Sequence, residues 1–164
     1  MDDELCLSRV HRNAGGESFI ELEHALKPTE EFRADFIWID SPTYTDGSSI
    51  WETGKWVLKL EEEIIDRAHE KVSEMVETGA LGSAKTSTLK SSGARDSYIV
   101  CVYNDNFQDV NTIETAGKLL DSMIEPAEMG YKPDFFTRLG VYPESLDEFG
   151  LDSEYIYTLE EGEL

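Results

Sequence analysis

The sequence predicts an α+β fold: a curved, mostly antiparallel sheet with helices packed on one face. Short apolar runs alternate with two amphipathic helices, and most of the runs keep one polar side, which suits antiparallel better than doubly wound parallel sheets. With 164 residues, 40% of them hydrophobic, the chain can bury one core. No repeat or linker divides it. We expect an acidic N-terminal arm over residues 1–34, with one short helix near 17–26, and a single α+β domain over residues 35–164.

The first two strands of the domain follow from local patterns. The run Phe-Ile-Trp-Ile at 36–39 precedes residues typical of a loop, as a buried strand would. Residues 54–60 alternate: Trp56 and two leucines fall on one face, and Lys55 and Lys59 fall on the other. One face of this strand therefore packs, while the other carries two cations.

Two segments have apolar residues at helical spacing. The first spans residues 61–77 and opens with three consecutive glutamates, which the helix dipole favours in the first turn. The second runs from Val110 to Ile124 and stops before Pro126, because proline cannot continue a helix. Both are predicted to pack against the sheet.

The remaining elements are shorter. Residues 81–88 predict a strand that is polar on both sides, and 97–103 are nearly all apolar, which is typical of a central strand covered on both faces. A turn at Lys132-Pro133-Asp134 is expected to lead into a strand over 135–142. A short edge strand is expected at 155–157. Cys6 and Cys101 suggest no disulfide framework, and Cys101 is expected in the core.

The charge balance excludes several partners. With 14 Lys+Arg against 35 Asp+Glu, the net charge is −21, which repels duplex nucleic acid and anionic membranes. No run of about 18 apolar residues and no secretory signal is present, so we expect a cytoplasmic protein. Glutamate outnumbers lysine 22 to 8, which favours a salt-adapted, halophilic setting, the alternative being an ordinary acidic protein at lower salt.

The few cations are not spread evenly along the chain. Residues 78–103 hold Lys85, Lys90 and Arg95 against Asp96 alone, a net charge of 3 − 1 = +2. Such positively biased segments fall on strands and loops that would share one sheet face, which predicts a phosphate site. The alternative is a set of solvent-facing lysines, each paired with a carboxylate. The predicted phosphate-binding residues are Lys55, Lys59, Lys85, Arg95, Lys132 and Arg138, with hydroxyls of Ser83, Thr86, Ser87 and Thr88 as further donors.

The three tryptophans are expected in two kinds of position, the core and a possible stacking site. Trp38 and Trp56 are expected in the core. Trp51, in the loop after Asp46-Gly47, could stack on a base or a substrate ring, and Tyr103 offers a second ring beside the predicted lysines.

Five short segments together resemble the Bles family, the basophilic-leukaemia-expressed proteins. They are FIWI at 36–39, GKW at 54–56, LGSAK at 81–85, IVCVY at 99–103 and GYKPD at 130–134. Their order and spacing carry the resemblance, which covers residues 35–142. It implies a fold like that of the cap-binding translation initiation factor, in agreement with the pattern of elements above.

The resemblance also implies a candidate activity, because related microbial sequences carry a phosphothreonine lyase label. In β-elimination a neutral lysine removes the Cα proton while other cations hold the phosphate. Lys85 would be that catalytic base or the main phosphate contact. Phosphothreonine lyases also use a histidine acid, and His11, His24 and His69 all lie outside the matched segments.

Two further function classes stay open. A non-catalytic module would bind a nucleotide or capped RNA end, with Trp51 or Tyr103 stacking and the same lysines on the phosphates. A protein-interaction domain would have no small-molecule site. The expected partner is a phosphorylated small molecule, a phosphopeptide or a nucleotide. No metal or other cofactor is expected, and the oligomeric state is left open.

Overall fold

A computed structural model describes residues 9–12, 18–21, 27–41, 49–92 and 97–159. The helices are α1 (Glu62–Glu77), α2 (Leu89–Ser92), α3 (Val110–Ile124), α4 (Asp134–Leu139) and α5 (Leu146–Phe149). Short 3₁₀ turns lie at Pro28–Glu30 and Pro143–Ser145. The strands are β1 (Arg9–Arg12), β2 (Ser18–Glu21), β3 (Phe36–Ile39), β4 (Gly54–Leu60), β5 (Ala84–Ser87), β6 (Tyr98–Asn104) and β7 (Glu128–Pro133).

The seven strands form one sheet in the order β1-β2-β3-β5-β6-β4-β7. Every neighbouring pair is antiparallel except β2 and β3, which are parallel. The predicted α+β class with a mostly antiparallel sheet is therefore confirmed. The predicted edge strand near 155–157 is present as an isolated bridge between Tyr131 and Tyr157.

Alternation along the strands gives the sheet an apolar face. Trp56, Leu58 and Leu60 of β4 are each at most 2% exposed and belong to the main core cluster. The partly apolar helices α1 and α3 supply the other half of that core, so both long helices cover this face, called the helix face below. Burying such side chains is the main source of stability for a domain of this size.

The two long helices begin and end where the sequence predicted. Asp109 caps α3, its carboxylate accepting from the backbone N–H of Thr112 at 3.3 Å. The helix ends at Glu125, which adopts the left-handed conformation directly before Pro126. Helix α1 carries two glutamates in its first turn, where the helix dipole favours negative charge.

One polar pair lies inside the core. His69 of α1 is 4% exposed, and its Nδ1 lies 2.9 Å from Oγ1 of Thr86 on β5. Burial lowers the pKa of His69 to about 4, since a buried imidazolium would lose its hydration, and the nearby Asp66 carboxylate offsets only part of this. His69 is therefore neutral at pH 7 and serves packing, as an apolar-helix histidine commonly does.

Two local predictions were wrong. Residues 135–142, predicted as a strand, begin with the helix α4, which ends at Gly140 in the left-handed conformation (φ 81°). A short aromatic run does not distinguish strand from helix. The short helix predicted near 17–26 contains the strand β2 at 18–21 instead.

The predicted boundary at residue 34 stays a prediction, although described parts of the arm join the domain. Strand β2 pairs with β3, and the side chain of Thr29 donates to the Asp66 carboxylate of α1 at 2.6 Å. Among the described residues, no helix is long and apolar enough to cross a membrane.

Candidate functional site

Four lysines lie together on the sheet face opposite α1 and α3, called the lysine face below. Lys55 is opposite Lys132 of β7 in the register, and Lys85 of β5 is opposite Cys101 of β6. Lys59 follows Lys55 by four residues, an even spacing on a strand, and so shares its face. The expectation that the basic segments share one face is therefore met for these four lysines.

The lysine face forms the floor of a cavity of about 400 Å³. Its wall is built by Thr137 of α4, the turn at 142–144, and residues 154 and 155 of the C-terminal segment. Lysines, aromatic rings and carboxylates therefore line one open cavity. The lining residues are Phe36, Lys55, Val57, Lys59, Lys85, Ile99, Cys101, Lys132, Thr137, Tyr142, Pro143, Glu144, Glu154 and Tyr155.

Lys55 is held by two groups of α4. Its Nζ lies 2.8 Å from Oδ1 of Asp134 and 3.0 Å from Oγ1 of Thr137, and the whole residue is only 7% exposed. Thr53 donates to the other oxygen of the Asp134 carboxylate at 2.6 Å, which fixes its orientation. The ammonium is thus placed rigidly at the end of the cavity where α4 begins.

Lys132 is the most buried of the four, at 3% exposure. Its Nζ donates to the carbonyl oxygen of Val141 at 2.5 Å and to the Glu154 carboxylate at 3.0 Å, and it lies 4.1 Å from the centre of the Tyr142 ring. Burial lowers the pKa of Lys132, and the hydrogen bond to Glu154 opposes this shift. The residues around Lys132 come from two separate stretches of chain, 141–142 and 154.

The other two lysines are more accessible. Lys59 forms an exposed ion pair with Glu128 at 2.9 Å. The ammonium of Lys85 lies 4.0 Å from the centre of the Phe36 ring and 5.8 Å from that of Trp38, so aromatic faces stabilise its charge. Lys85 therefore marks the β3–β5 end of the cavity.

Tyr155 closes the opposite end of the cavity, over β7. Its ring packs against Gly130, where a Cβ atom would lie 2.2 Å from the ring, so only glycine permits this contact. The Tyr155 hydroxyl is buried and lies near the carboxylates of Glu154 and Glu128. Burial, together with the Glu154 and Glu128 carboxylates, raises the pKa of Tyr155 well above its ordinary value.

Comparison with known proteins places this arrangement in a family. The family model described as "Basophilic leukemia-expressed protein Bles03" matches residues 48–140, more than half of the chain. The chain belongs to the Bles03 family. The match spans every element from β4 to α4, including all of β5, β6 and β7, and it confirms the resemblance to this family.

One solved structure similar to this Bles03 chain is that of eIF4E-3 from Ascaris suum, described as a complex with an m2,2,7G cap. The similarity has a TM-score of 0.45 and 10% sequence identity, and it covers 57% of this chain and 57% of that chain. The Bles03 chain thus aligns with little more than half the length of that protein.

Of the two predicted arginines, one is described, and it does not line the cavity of the Bles03 chain. Arg138 is exposed on α4 and is not among the lining residues. Arg95 lies outside the described residues. The phosphate-binding role predicted for the cluster therefore depends on the four lysines of the lysine face.

The two predicted stacking residues, Trp51 and Tyr103, lie in different parts of the structure. Trp51 is 59% exposed and contacts the ring of Phe135, with the centroids 5.9 Å apart, away from the cavity lining. Tyr103 lies beside Lys55, with the ammonium 5.6 Å from its ring centre, and stacks on Trp38 with the centroids 5.3 Å apart. Trp38, expected in the core, is only partly buried on the lysine face, whereas Trp56 is a core residue.

The hydroxyls predicted as extra phosphate donors have structural roles instead. Thr86 binds His69 on the helix face, and Ser87 accepts from the backbone N–H of Ile99 at 2.7 Å. Ser83 accepts from the backbone of Ser41, and Thr88 donates to the carbonyl of Ala34. All four are at most 7% exposed, because β5 lies inside the sheet and its polar groups must find partners there.

Sequence reasoning missed the acidic half of the site. Asp134 and Glu154 reach lysines that are 79 and 22 residues away in the chain, so a count of charge along segments could not pair them. Tyr155 was assigned only to an edge strand. The sequence signal for its position is Gly130 of β7, because a glycine in a strand leaves room for a ring to pack against it. Tyr155 and Tyr157 alternate in the segment that lies beside this strand.

Proposed function

We propose that this Bles03 chain is a non-catalytic module that binds a compact phosphorylated ligand in the cavity of the lysine face. The observation that carries the proposal is the convergence of Lys55, Lys59, Lys85 and Lys132 from three strands on one cavity of about 400 Å³. Ammonium groups are strong donors to phosphate oxygens, and aromatic side chains beside them suit a ring attached to the phosphate.

The carboxylate partners of these lysines are compatible with anion binding. An ammonium has three donor hydrogens. The hydrogen bonds described for Lys55 involve two acceptors, Asp134 and Thr137, and those of Lys132 also involve two, Val141 and Glu154. A phosphate oxygen could therefore take the third donor of each lysine while the ion pairs keep both side chains in place.

The geometry supports binding over β-elimination. His69, the histidine whose side chain the structure describes, is buried on the helix face and bonded to Thr86 of β5. It lies across the sheet from Lys85, so it cannot donate a proton to a leaving phosphate in the cavity. Lyase activity would instead release phosphate from a phosphothreonine peptide and leave a product one water lighter than the unphosphorylated peptide.

The proposal is tested by isothermal titration calorimetry of the full chain with adenosine monophosphate, phosphothreonine and inorganic phosphate, at low and high KCl. We expect Lys85→Ala to weaken binding of the preferred ligand about tenfold to a hundredfold, the usual loss for a charge-assisted hydrogen bond. Lys118→Ala is the matched control, because Lys118 pairs with Glu114 on the exposed side of α3.

Absence of binding by the unmodified chain would refute the proposal. So would an equal loss of affinity in Lys85→Ala and Lys118→Ala, since that result would show a general charge effect rather than a site. Mass spectrometry of the phosphothreonine sample serves as the check for elimination, and a dehydrated product that Lys85→Ala fails to make would favour the lyase.

A further inference from the structure

An aromatic cluster lies beyond one end of the sheet, where β4 begins and where β6 and β7 end. The ring of Phe135 on α4 is its centre. The ring centroid of Trp51, from the turn before β4, lies 5.9 Å from that of Phe135, and the centroid of Phe107, from the turn before α3, lies 5.6 Å from it. Three separate stretches of chain therefore meet in one cluster.

The cluster continues into side chains that are exposed to water. Trp51 is 59% exposed, and its neighbour Ile50 is 40% exposed. Leu139 is 51% exposed and follows Phe135 by four residues, so the two side chains lie on the same side of α4. We call these five residues the aromatic patch: Ile50, Trp51, Phe107, Phe135 and Leu139. Adjoining exposed apolar side chains of this kind mark a surface that binds a partner, and tryptophan is among the residues that contribute most to such binding.

The charges around the aromatic patch are mostly negative. The turn before β4 carries Glu52, the turn before α3 carries Asp105 and Asp109, and both turns are without lysine or arginine. The two turns are neighbours, because the backbone N–H of Phe107 donates to the carbonyl oxygen of Glu52 at 2.8 Å. These three acidic residues are exposed, and we call them the acidic rim. The exposed Arg138 of α4 offsets one of their charges, which leaves a net charge of 1 − 3 = −2.

The acidic rim decides which kind of partner suits the aromatic patch. Nucleic acid, an anionic membrane and the phosphates of a nucleotide would all bring negative charge to the three carboxylates. A second copy of this chain would bring the same rim and a further net charge of −21. A protein segment with lysine or arginine beside a large apolar side chain matches both the exposed rings and the charges around them.

We propose that the aromatic patch is a docking surface for a basic segment of another protein. A large apolar side chain of that segment packs against Trp51 and Phe135, and its cations contact the acidic rim. The proposal is independent of the proposed function, because none of the five residues of the aromatic patch lines the cavity of the lysine face. Association is expected to be fast at low salt and slower at high salt, since opposite charges attract the partners over a distance that salt shortens.

The test is isothermal titration calorimetry of the full chain with two short peptides. The first contains lysines and leucines, and in the second serines replace the leucines, so both peptides carry the same charge. We expect the leucine peptide to bind at least about tenfold more tightly than the serine peptide. Trp51→Ala should weaken binding of the leucine peptide about tenfold to thirtyfold, because it removes the most exposed ring of the patch. Glu52→Gln should weaken it about twofold to threefold at low KCl, with no effect at high KCl.

The matched controls come from α5, outside the aromatic patch. Phe149→Ala removes an aromatic side chain that is also exposed, at 40%, and Glu148→Gln removes an exposed charge. Phe149→Ala should leave the affinity unchanged, and Glu148→Gln should change it less than Glu52→Gln does. Leu139→Ala is a second variant of the patch, and it keeps the test valid if Trp51→Ala lowers the melting temperature.

Several outcomes would overturn the proposal. Equal binding of the two peptides would show attraction by net charge alone. Equal affinity of Trp51→Ala and Phe149→Ala for the leucine peptide, or no binding of this peptide by the unmodified chain, would show that the patch is not its docking surface. Sedimentation equilibrium tests the other occupant, because a dimer that forms at high KCl and is lost in Trp51→Ala would show that a second copy covers the patch instead.

Discussion

The two faces of the central sheet are built from alternate residues of the same strands, yet they differ in almost every physical respect. On β4, the side chains of Trp56, Leu58 and Leu60 are buried under α1 and α3. Their neighbours Lys55 and Lys59 point to the other face, where each forms an ion pair. One strand therefore supplies both the core and the candidate binding site.

The two faces differ in the charge of the polar groups that they contain. The helix face is closed by two long helices, and the polar pair His69 and Thr86 within it is neutral at pH 7. The lysine face is covered by short segments that leave a cavity, so charged groups can stay there with carboxylate partners. Stability depends mainly on the first face, whereas the second holds the proposed ligand site.

The sharpest comparison of the two faces uses adjacent residues of β4. Leu58 is fully buried on the helix face, whereas Val57 is 9% exposed and lines the cavity. Leu58→Ala is expected to lower the free energy of unfolding by about 2–5 kcal/mol, because it leaves a void in the core. Val57→Ala should cost less, about 1–2 kcal/mol, because it removes less buried apolar surface, at a position beside the cavity. Chemical denaturation measures both, and equal losses would contradict the division of roles.

The neutral histidine of the helix face makes stability depend on pH. The pKa of His69 is about 4 in the folded state and 6.5 in a model peptide. Below pH 6.5 the unfolded chain binds a proton that the folded chain refuses, so stability falls as the pH drops from 6.5 to 4. The difference in pKa corresponds to about 3 kcal/mol. Denaturation curves of the unmodified chain and of His69→Gln, taken at several pH values, measure this loss.

The His69→Gln variant serves as the reference because the many carboxylates titrate equally in both proteins. The unmodified chain should lose about 3 kcal/mol more than His69→Gln between pH 6.5 and 4. Parallel pH profiles for the two proteins would show that His69 is not held neutral by burial.

The smallest of these effects compares ion pairs. Lys55 and Asp134 have side chains that are 9% and 14% exposed, and Lys118 and Glu114 have side chains that are 42% and 47% exposed. Lys55→Met removes the ammonium that balances the nearly buried Asp134 carboxylate. We therefore expect it to lower the free energy of unfolding by about 2 kcal/mol. Lys118→Met should cost less than about 0.5 kcal/mol. Thermal or chemical unfolding distinguishes them, and similar costs would mean that water reaches Asp134 freely.

Much of the fold could be predicted because its signals are local. The apolar spacing of α1 and α3, the proline after α3 and the alternation in β4 each depend on residues within a few positions of one another. The prediction failed at 135–142, where six residues of helix are too few for periodicity to decide. The strand β2 was missed for a related reason, since pairing with β3 rather than its own sequence defines it.

The candidate site could be predicted only in part. Alternation placed Lys55 and Lys59 on one face, and the register of β4 with its neighbours adds Lys85 and Lys132. Their carboxylate partners were not predictable, because Asp134 and Glu154 approach through the packing of α4 and of the C-terminal segment. Trp51, a reasonable stacking residue by its loop position, lies against Phe135 instead.

By itself, the sequence determined the class of fold, the two long helices and the apolar side of β4. The tertiary structure decided which cations meet, which carboxylates balance them, and that the Tyr155 ring packs on Gly130 of β7. The physical reason is the separation along the chain over which each kind of interaction acts. Periodicity and helix capping act over a few residues of chain, whereas ion pairing and burial act between groups that only folding brings together.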